Sequence, residues 1–340
     1  MRLAGNRQSS FELLRLFSML FIVYYHLLRW LVLDNPDCYI IRAFWIPLHV
    51  GVVVFILISG YFQIRPSSRG LIVLLGVLFV YSVPNIALAV KNAESTHSVI
   101  RAFLFISHSD FWFIKSYLGL FLVSPLLNLF IDNSSLCKRW YMISVFAIVS
   151  LYFGSFARNS FYVEGKNLIN FMLIYQIGSI LKTYSSKWRL WRCGWLIASY
   201  FALNCTLVIL YLSTRGTSLN ALLWKLSFPY NSPILILNAV VLFVLLGGIE
   251  FHSSTVNQLA KHCFAIYLLH SIPFLVYTIE RPLVSGLFCY FNHNLFVTLP
   301  ILFVLAFIII VVCIVVDSLL SPIWKCIDRF GNWIQKTIGF

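Results

Sequence analysis

Arg15 and His26 are the residues best placed to do chemistry, because both interrupt one long apolar segment. They are eleven residues apart, close to three helical turns, so a helix would place them on one face, roughly 16 Å apart along its axis. An imidazole can accept and return a proton near neutral pH, as activation of a hydroxyl requires. A guanidinium stays protonated and can bind a phosphate, polarise a carbonyl or hold a carboxylate such as Glu12. This spacing suits a ligand that places its anionic end at Arg15 and extends toward His26.

A plainer interpretation of the same two residues stays open. Ionisable groups inside a membrane helix are costly and usually face a cavity or a partner. Arg15 can instead extend to the lipid headgroups, with His26 a packed, hydrogen-bonded histidine. Residue chemistry alone favours neither interpretation.

The composition indicates a membrane protein. Of the 340 residues, 60% are hydrophobic and 11% are charged, against roughly 45–50% and about 25% in soluble domains. No polar stretch is long enough for a separate soluble domain. We therefore expect one transmembrane domain over residues 1–320, followed by an amphipathic tail, residues 321–340, lying along the cytoplasmic face.

Apolar segments of about 20 residues predict an all-α, polytopic transmembrane helical bundle of about ten helices. Longer outer loops are expected near residues 92–111, 214–230 and 281–295. The predicted spans are residues 11–33, 44–64, 71–91, 112–131, 140–156, 167–183, 192–213, 231–249, 263–280 and 296–319.

The net charge of +14 is interpreted as membrane topology. Basic residues concentrate in the tight loops 65–70 and 182–192, which favours both termini in the cytoplasm and contact with anionic lipid headgroups. No basic stripe with interleaved aromatic residues is present, so nucleic-acid binding is not expected.

The sequence predicts no metal site and no disulfide framework. Its eight cysteines are scattered without a CxxC pair. No GxSxG or GxxxxGK[ST] pattern is present, which disfavours a serine hydrolase and a P-loop ATPase. Apart from His26 and His270, the histidines are interpreted as ordinary polar or packing residues. These are His49, His97, His108, His252, His262 and His293.

Four segments resemble the membrane acyltransferase-3 family, bacterial proteins of about ten helices that acylate carbohydrates and related acceptors. The run FELLRLFSMLFIVYYH contains the family's arginine, ten intervening residues and histidine, with Glu12 where the family usually has aspartate. Residues 51–62 close on Ser-Gly-Tyr, residues 111–128 contain FWFI and SPLLN, and residues 264–270 end in YLLH. Their order along the chain makes the resemblance stronger than any one segment does.

The resemblance implies an O-acyltransferase that uses acetyl-CoA as donor substrate and has no permanently bound cofactor. His26 and Arg15 would be catalytic, and Ser59, Gly60 and Tyr61 would line the donor path. Two arginines follow that motif and match the family's basic residues. Arg65 and Arg69 would bind the phosphates of acyl-CoA, unless they serve membrane topology alone.

The acceptor implied by the resemblance is a hydroxyl of an extracytoplasmic or lipid-linked glycan, such as O-antigen or capsule, at a bacterial plasma (inner) membrane. Trp112 and Lys115 are predicted at the outer rim, where an aromatic ring can stack on sugar or anchor the helix at the interface. His270 and Glu12 are further candidates for substrate binding. A structural role for His270 stays open.

Two other functions are compatible with these helices. A transporter or flippase for a lipid-linked saccharide or other polar solute explains the buried charges, although the helices broken in paired halves that are typical of transporters are not evident. A regulatory module without activity is the other, and the presence of both Arg15 and His26 argues against it.

Overall fold

The structure, a computed structural model, describes residues 8–35, 39–91, 112–157, 164–188 and 193–338. Within these ranges the chain is helical and has no β-strand. The helices up to residue 188 are α1 (Ser9–Asp34), α2 (Tyr39–Leu48), α3 (Val50–Phe62), α4 (Ser68–Lys91), α5 (Trp112–Asn133), α6 (Leu136–Leu151), α7 (Leu168–Thr183) and α8 (Ser185–Trp188). The later helices are α9 (Cys193–Ser213), α10 (Ser218–Ser227), α11 (Pro233–Gly247), α12 (Ser254–Leu259), α13 (Cys263–His270), α14 (Pro273–Leu275), α15 (Arg281–Tyr290), α16 (Leu295–Leu319) and α17 (Ser321–Ile338).

The all-α polytopic fold predicted from the sequence is confirmed. Among the described residues, seven helical stretches are long and apolar enough to cross a membrane. They are Ser9–Asp34, Tyr39–Phe62, Ser68–Ala87, Trp112–Asn133, Leu136–Phe156, Gly194–Ser213 and Leu295–Leu319. Two further apolar helices, α7 and α11, are shorter. The described residues therefore contain seven helices long enough to span a membrane, fewer than the ten predicted.

The second span is divided between α2 and α3. Pro47 lies inside α2, and the helix is interrupted at His49 before α3 begins. Proline has no backbone N–H and its ring crowds the preceding turn, so a helix bends or breaks near it. The His49 backbone N–H nevertheless retains the helical bond to the carbonyl of Trp45, four residues earlier, at 3.0 Å.

The predicted span 263–280 is not one helix. Helix α13 ends at His270, a turn follows, and α14 starts at Pro273, whose missing N–H suits a helix start. A π-helical turn, Val276–Glu280, leads into α15. Two of the predicted loops contain helices, because α10 lies within residues 214–230 and α15 within 281–295. The predicted loop 92–111 lies outside the described residues.

The residue contacts divide the chain into two units. The first comprises residues up to 64 and residues 126–263, with α3 at its centre. Helices α1, α7 and α11 pack against α3, which is apolar on all sides and almost wholly buried.

Two glycines allow α3 and α7 to approach closely. A Cβ atom at Gly60 would overlap the backbone of Tyr175, and one at Gly178 would overlap the carbonyl of Leu57. The small residue in the Ser-Gly-Tyr segment is thus required by the packing of helix on helix.

Replacing Gly60 by Ala is expected to destabilise the protein. Overpacking of this kind costs about 1–3 kcal/mol, and here the obstruction is backbone, which yields less than a side chain. The midpoint of thermal unfolding in detergent is the measurement. Gly286→Ala is the control, because a Cβ there meets no atom within 4 Å. Equal midpoints for the Gly60 variant and wild type would contradict the close approach.

The second unit comprises residues 65–125 and residues 264 onward. In it α17 lies along α4. Asp328 of α17 accepts two hydrogen bonds from the Arg69 guanidinium, at 2.9 Å from Nε and 2.7 Å from Nη2. A Cβ at Gly76 would crowd the side chain of Ile327, so the two helices also touch through a small residue. The tail of the sequence is therefore a helix with a defined partner.

Candidate active site

An ion pair occupies the start of α1. The Arg15 Nη1 atom lies 2.8 and 2.9 Å from the two carboxylate oxygens of Glu12, one helical turn earlier. The Glu12 side chain is 7% exposed and that of Arg15 is 31% exposed. Glu12 neutralises Arg15 within the helix, while a third of the arginine side chain stays accessible. Of the three roles that the sequence suggests for Arg15, the structure contains the third, an ion pair with a carboxylate.

Helix α1 runs unbroken from Ser9 to Asp34 and carries His26 three turns beyond Arg15. Its first residue is fixed from another part of the same unit. The Ser9 Oγ atom accepts a hydrogen bond from the Ser253 backbone N–H at 2.9 Å. His26 is half-buried, and its ring centroid lies 5.5 Å from that of Tyr25. The helix therefore preserves the separation of the two residues that the sequence predicted.

An aromatic group surrounds His49 beside this part of α1. The centroid of the His49 ring lies 3.8 Å from that of Phe228 and 4.8 Å from that of Tyr230, stacked in both cases. It lies 4.5 Å from that of Tyr25, in a T-shaped arrangement. Its Nδ1 lies 3.0 Å from the Phe228 carbonyl oxygen, which can only accept, so Nδ1 donates. Nε2 then carries the lone pair, and it is buried without a hydrogen-bond partner among the described residues.

His49 is a candidate residue that the sequence interpretation missed. Its ring packs on Tyr25, which directly precedes His26. A buried acceptor without a partner is costly unless it serves a ligand or a proton. The only sequence signal was its position just after Pro47, at the helix interruption. Residues that lie 179 positions apart, such as His49 and Phe228, cannot be paired from one sequence.

The Ser-Gly-Tyr segment ends α3. The Ser59 hydroxyl donates to the Phe55 carbonyl at 2.9 Å, so it satisfies its own helix. Tyr61 is buried, with its ring 4.8 Å from Phe11 and 5.7 Å from Trp188. Of the three residues, Tyr61 lines a cavity and Gly60 serves helix packing.

That cavity lies within the first unit and has a volume of about 690 Å³. Tyr61 and Trp188 form its aromatic wall, and Ser10 belongs to the first turn of α1. Glu250 and His252, in the segment that follows α11, add polar side chains to the lining. The full set of lining residues is Gln8, Ser10, Tyr61, Ser185, Ser186, Trp188, Gly247, Gly248, Ile249, Glu250, Phe251 and His252.

The remaining predicted site residues belong to the second unit. Arg65 is exposed, as is Lys115, and Trp112 is half-buried with its ring 6.1 Å from Phe113. His270 is 2% exposed, and its Nδ1 donates to the Ile266 carbonyl at 2.6 Å, one turn earlier in α13. This bond fixes the His270 ring against its own helix.

Arg69 already has a carboxylate partner in Asp328. The predicted role of Arg69 toward a phosphate therefore requires that the phosphate share or displace that carboxylate. The two partners are 259 residues apart in the sequence, so the sequence alone does not predict this competition.

The seven apolar helical stretches among the described residues define a polytopic membrane protein. Residues 8–318 match the family model described as an acyltransferase domain, that of the acyltransferase-3 family. The chain belongs to this family and is a membrane acyltransferase. Searches of curated proteins and of solved structures found no match. The family match favours an enzyme over a transporter or flippase.

Proposed function

We propose that this enzyme transfers an acetyl or other small acyl group from cytoplasmic acyl-CoA to a hydroxyl of an extracytoplasmic or lipid-linked glycan. It would act in a bacterial plasma membrane with both termini in the cytoplasm. The observation that carries the proposal is the unbroken helix α1, which holds a charged pair at one end and a half-buried histidine three turns further on. In this arrangement the charged pair would bind the donor at one position along α1, and the histidine would transfer the proton at another.

His26 supplies the reactive imidazole by one of two routes. As a general base it removes the acceptor hydroxyl proton, the oxygen attacks the thioester carbonyl, and the imidazolium returns the proton to the departing CoA thiolate. As a carrier, an imidazole nitrogen attacks the thioester, forming acyl-imidazole and CoA thiol. The acceptor hydroxyl then attacks that carbonyl, forming the ester and regenerating the imidazole.

Arg15 binds or polarises the donor in this proposal, and Glu12 orients it. Within the described residues, the bonds to Glu12 use Nη1, so the rest of the guanidinium fork remains for an oxygen of the donor. The 31% exposed side chain of Arg15 gives that oxygen access.

The cavity beside Tyr61 supports a donor path. A volume of about 690 Å³ is within the roughly 300–1,000 Å³ typical of small-molecule sites. None of the described lining residues is Lys or Arg, and the wall contains Tyr61 and Trp188. This chemistry suits the uncharged pantetheine arm of CoA better than its phosphates. Arg65 and Arg69 keep their proposed role toward the phosphates, and Trp112, Lys115 and His270 their proposed role toward the acceptor.

The experiment is acyl transfer in sealed membrane vesicles of both orientations that contain candidate glycans. Acetyl-CoA labelled in the acetyl group is added outside, and the label in the glycan fraction is measured. Label released by mild base, and formed only in vesicles whose cytoplasmic face is outward, is the expected result. Transfer from the opposite face would overturn the donor side. Donor consumption without label in any glycan would overturn the acceptor.

The competition at Arg69 yields a prediction about the donor. Replacing Asp328 by Asn frees the Arg69 fork and is expected to lower the KM for acetyl-CoA severalfold, because phosphate no longer competes with a carboxylate. The loss of stability should be about 1 kcal/mol or less, since the pair is partly exposed. Lys336→Gln, on the same helix, is the control. An unchanged KM with faster proteolysis of α17 would show that Arg69 only holds that helix.

A further inference from the structure

Arg139 is a buried cation that has no carboxylate partner in the described part of the chain. It lies in the first turn of α6 in the first unit and is 8% exposed. Among the described residues no carboxylate oxygen lies within ion-pair distance of it. The Asp132 carboxylate, seven residues earlier in the chain, accepts a hydrogen bond from the Gln63 side chain at 3.1 Å. Uncompensated buried charges are strongly unfavourable, so this guanidinium requires an explanation.

Two hydroxyls of α7 hold the guanidinium in place. Arg139 donates from Nη2 to the Ser179 Oγ at 3.0 Å and from Nη1 to the Thr183 Oγ1 at 3.3 Å. Both hydroxyls are themselves anchored, since Ser179 donates to the Gln176 carbonyl at 2.7 Å and Thr183 to the Ser179 carbonyl at 3.3 Å. The side chain is therefore oriented by a fixed frame. Of its five N–H donors, these bonds use two.

Unused hydrogen-bonding groups remain in this frame. The Arg139 Nε is buried and has no partner among the described residues. Gln176 precedes Ser179 by one turn and Thr183 by two, so it shares their face of α7. Gln176 is fully buried, and neither its amide nitrogen nor its amide oxygen has a partner in the described part of the chain. Gln176 lies about 4.5 Å of helix rise from Ser179, the residue that accepts a hydrogen bond from the Arg139 guanidinium.

We propose that Arg139 and Gln176 bind a phosphate group, while Ser179 and Thr183 hold the guanidinium in place; these four residues are called the Arg139 cluster. A planar guanidinium matches phosphate oxygens, and the amide nitrogen of Gln176 adds neutral donors that suit an anion. The cluster opens at Thr183, which is exposed, so an anion can approach from the end of α7. Either an anionic lipid headgroup or a phosphate of the nucleotide donor carries this group. The site itself does not depend on the proposed acyl transfer.

The experiment uses the purified full-length chain in a neutral detergent. Two probes are titrated separately: adenosine 3′,5′-bisphosphate, which carries the phosphates of a nucleotide, and short-chain phosphatidylglycerol, which carries a lipid phosphate. The midpoint of thermal unfolding is followed, because a ligand that binds the folded state raises it with concentration. Wild type and Arg139→Gln are compared. Lys138→Gln is the matched control, since the adjacent residue projects about 100° away around α6.

The expected result is that one probe stabilises wild type and that Arg139→Gln weakens its apparent affinity by about tenfold or more, as loss of a charged hydrogen bond does. Lys138→Gln should stay within about threefold of wild type. The probe that loses affinity identifies the source, nucleotide or lipid. No stabilisation of wild type by either probe, or equal affinity in wild type and Arg139→Gln, would overturn the site.

A second variant keeps the test decisive if Arg139→Gln does not fold. Gln176→Met removes the unpartnered amide at similar volume, so the protein without probe should be as stable as wild type or more so. The same variant should bind the phosphate probe several times more weakly. Unchanged probe affinity in Gln176→Met would exclude Gln176 from the site and contradict the cluster.

Discussion

Replacing His26 by Gln is expected to lower acyl transfer by about 10²- to 10⁴-fold, the usual contribution of a positioned general acid–base group. Glutamine has similar length and polarity, so the half-buried position beside Tyr25 should keep its packing. Its amide cannot exchange a proton near neutral pH and is not a nucleophile. Label transferred from acetyl-CoA to glycan, at equal amounts of folded protein, is the measurement.

His293→Asn is the control for this substitution. His293 is exposed, far from α1 in sequence, and has a positive φ of 61°, which asparagine tolerates better than most residues. Transfer by this variant should equal that of wild type. Equal transfer by His26→Gln and wild type would refute the catalytic role of His26 and leave the plainer interpretation, a packed histidine.

The two routes for His26 make different predictions for the donor alone. If His26 carries the acyl group, wild-type protein mixed with labelled acetyl-CoA without acceptor should retain label after rapid quenching, and hydroxylamine should remove it. If His26 is a general base, no label stays on the protein, yet transfer to glycan proceeds. His26→Gln separates true acyl-imidazole from label on cysteine or lysine, because only the former disappears.

The membrane-crossing helices could be predicted because length and apolarity decide them almost locally. The predicted spans 71–91 and 296–319 coincide with α4 and α16 within a few residues. The helix interruptions at His49 and after His270 could not be predicted in the same way. A membrane helix can continue through a proline if neighbouring groups form hydrogen bonds with the backbone atoms that lose their helical partners. Otherwise the helix breaks there. That depends on tertiary contacts, which a single sequence does not display.

The candidate site was predictable to the extent that it is local. Glu12 and Arg15 are three residues apart, so helical geometry brings them together. The partners of Arg69 and Arg139 come from distant helices, so one sequence does not indicate them. Packing decides which basic residues acquire a carboxylate and which acquire only hydroxyls.

Replacing Arg15 by Gln is expected to lower acyl transfer by about 10- to 100-fold, because a hydrogen bond from a charged donor contributes about 1.5–3 kcal/mol. The same variant leaves the carboxylate of Glu12, whose side chain is almost fully buried, without its cation. Removing one partner of a buried pair costs about 3–5 kcal/mol. A loss of activity in Arg15→Gln alone would therefore not distinguish donor binding from loss of structure.

The double variant Glu12→Gln/Arg15→Gln resolves this ambiguity, since it removes both charges. Stability, read from the thermal unfolding midpoint, should recover relative to Arg15→Gln, because no uncompensated carboxylate remains. Transfer should not recover, and the KM for acetyl-CoA should stay raised, if the Arg15 fork contacts the donor. Recovery of both stability and transfer would mean that Arg15 serves only to neutralise Glu12. Arg15→Lys should fall between wild type and the double variant, because it keeps the charge without the planar fork.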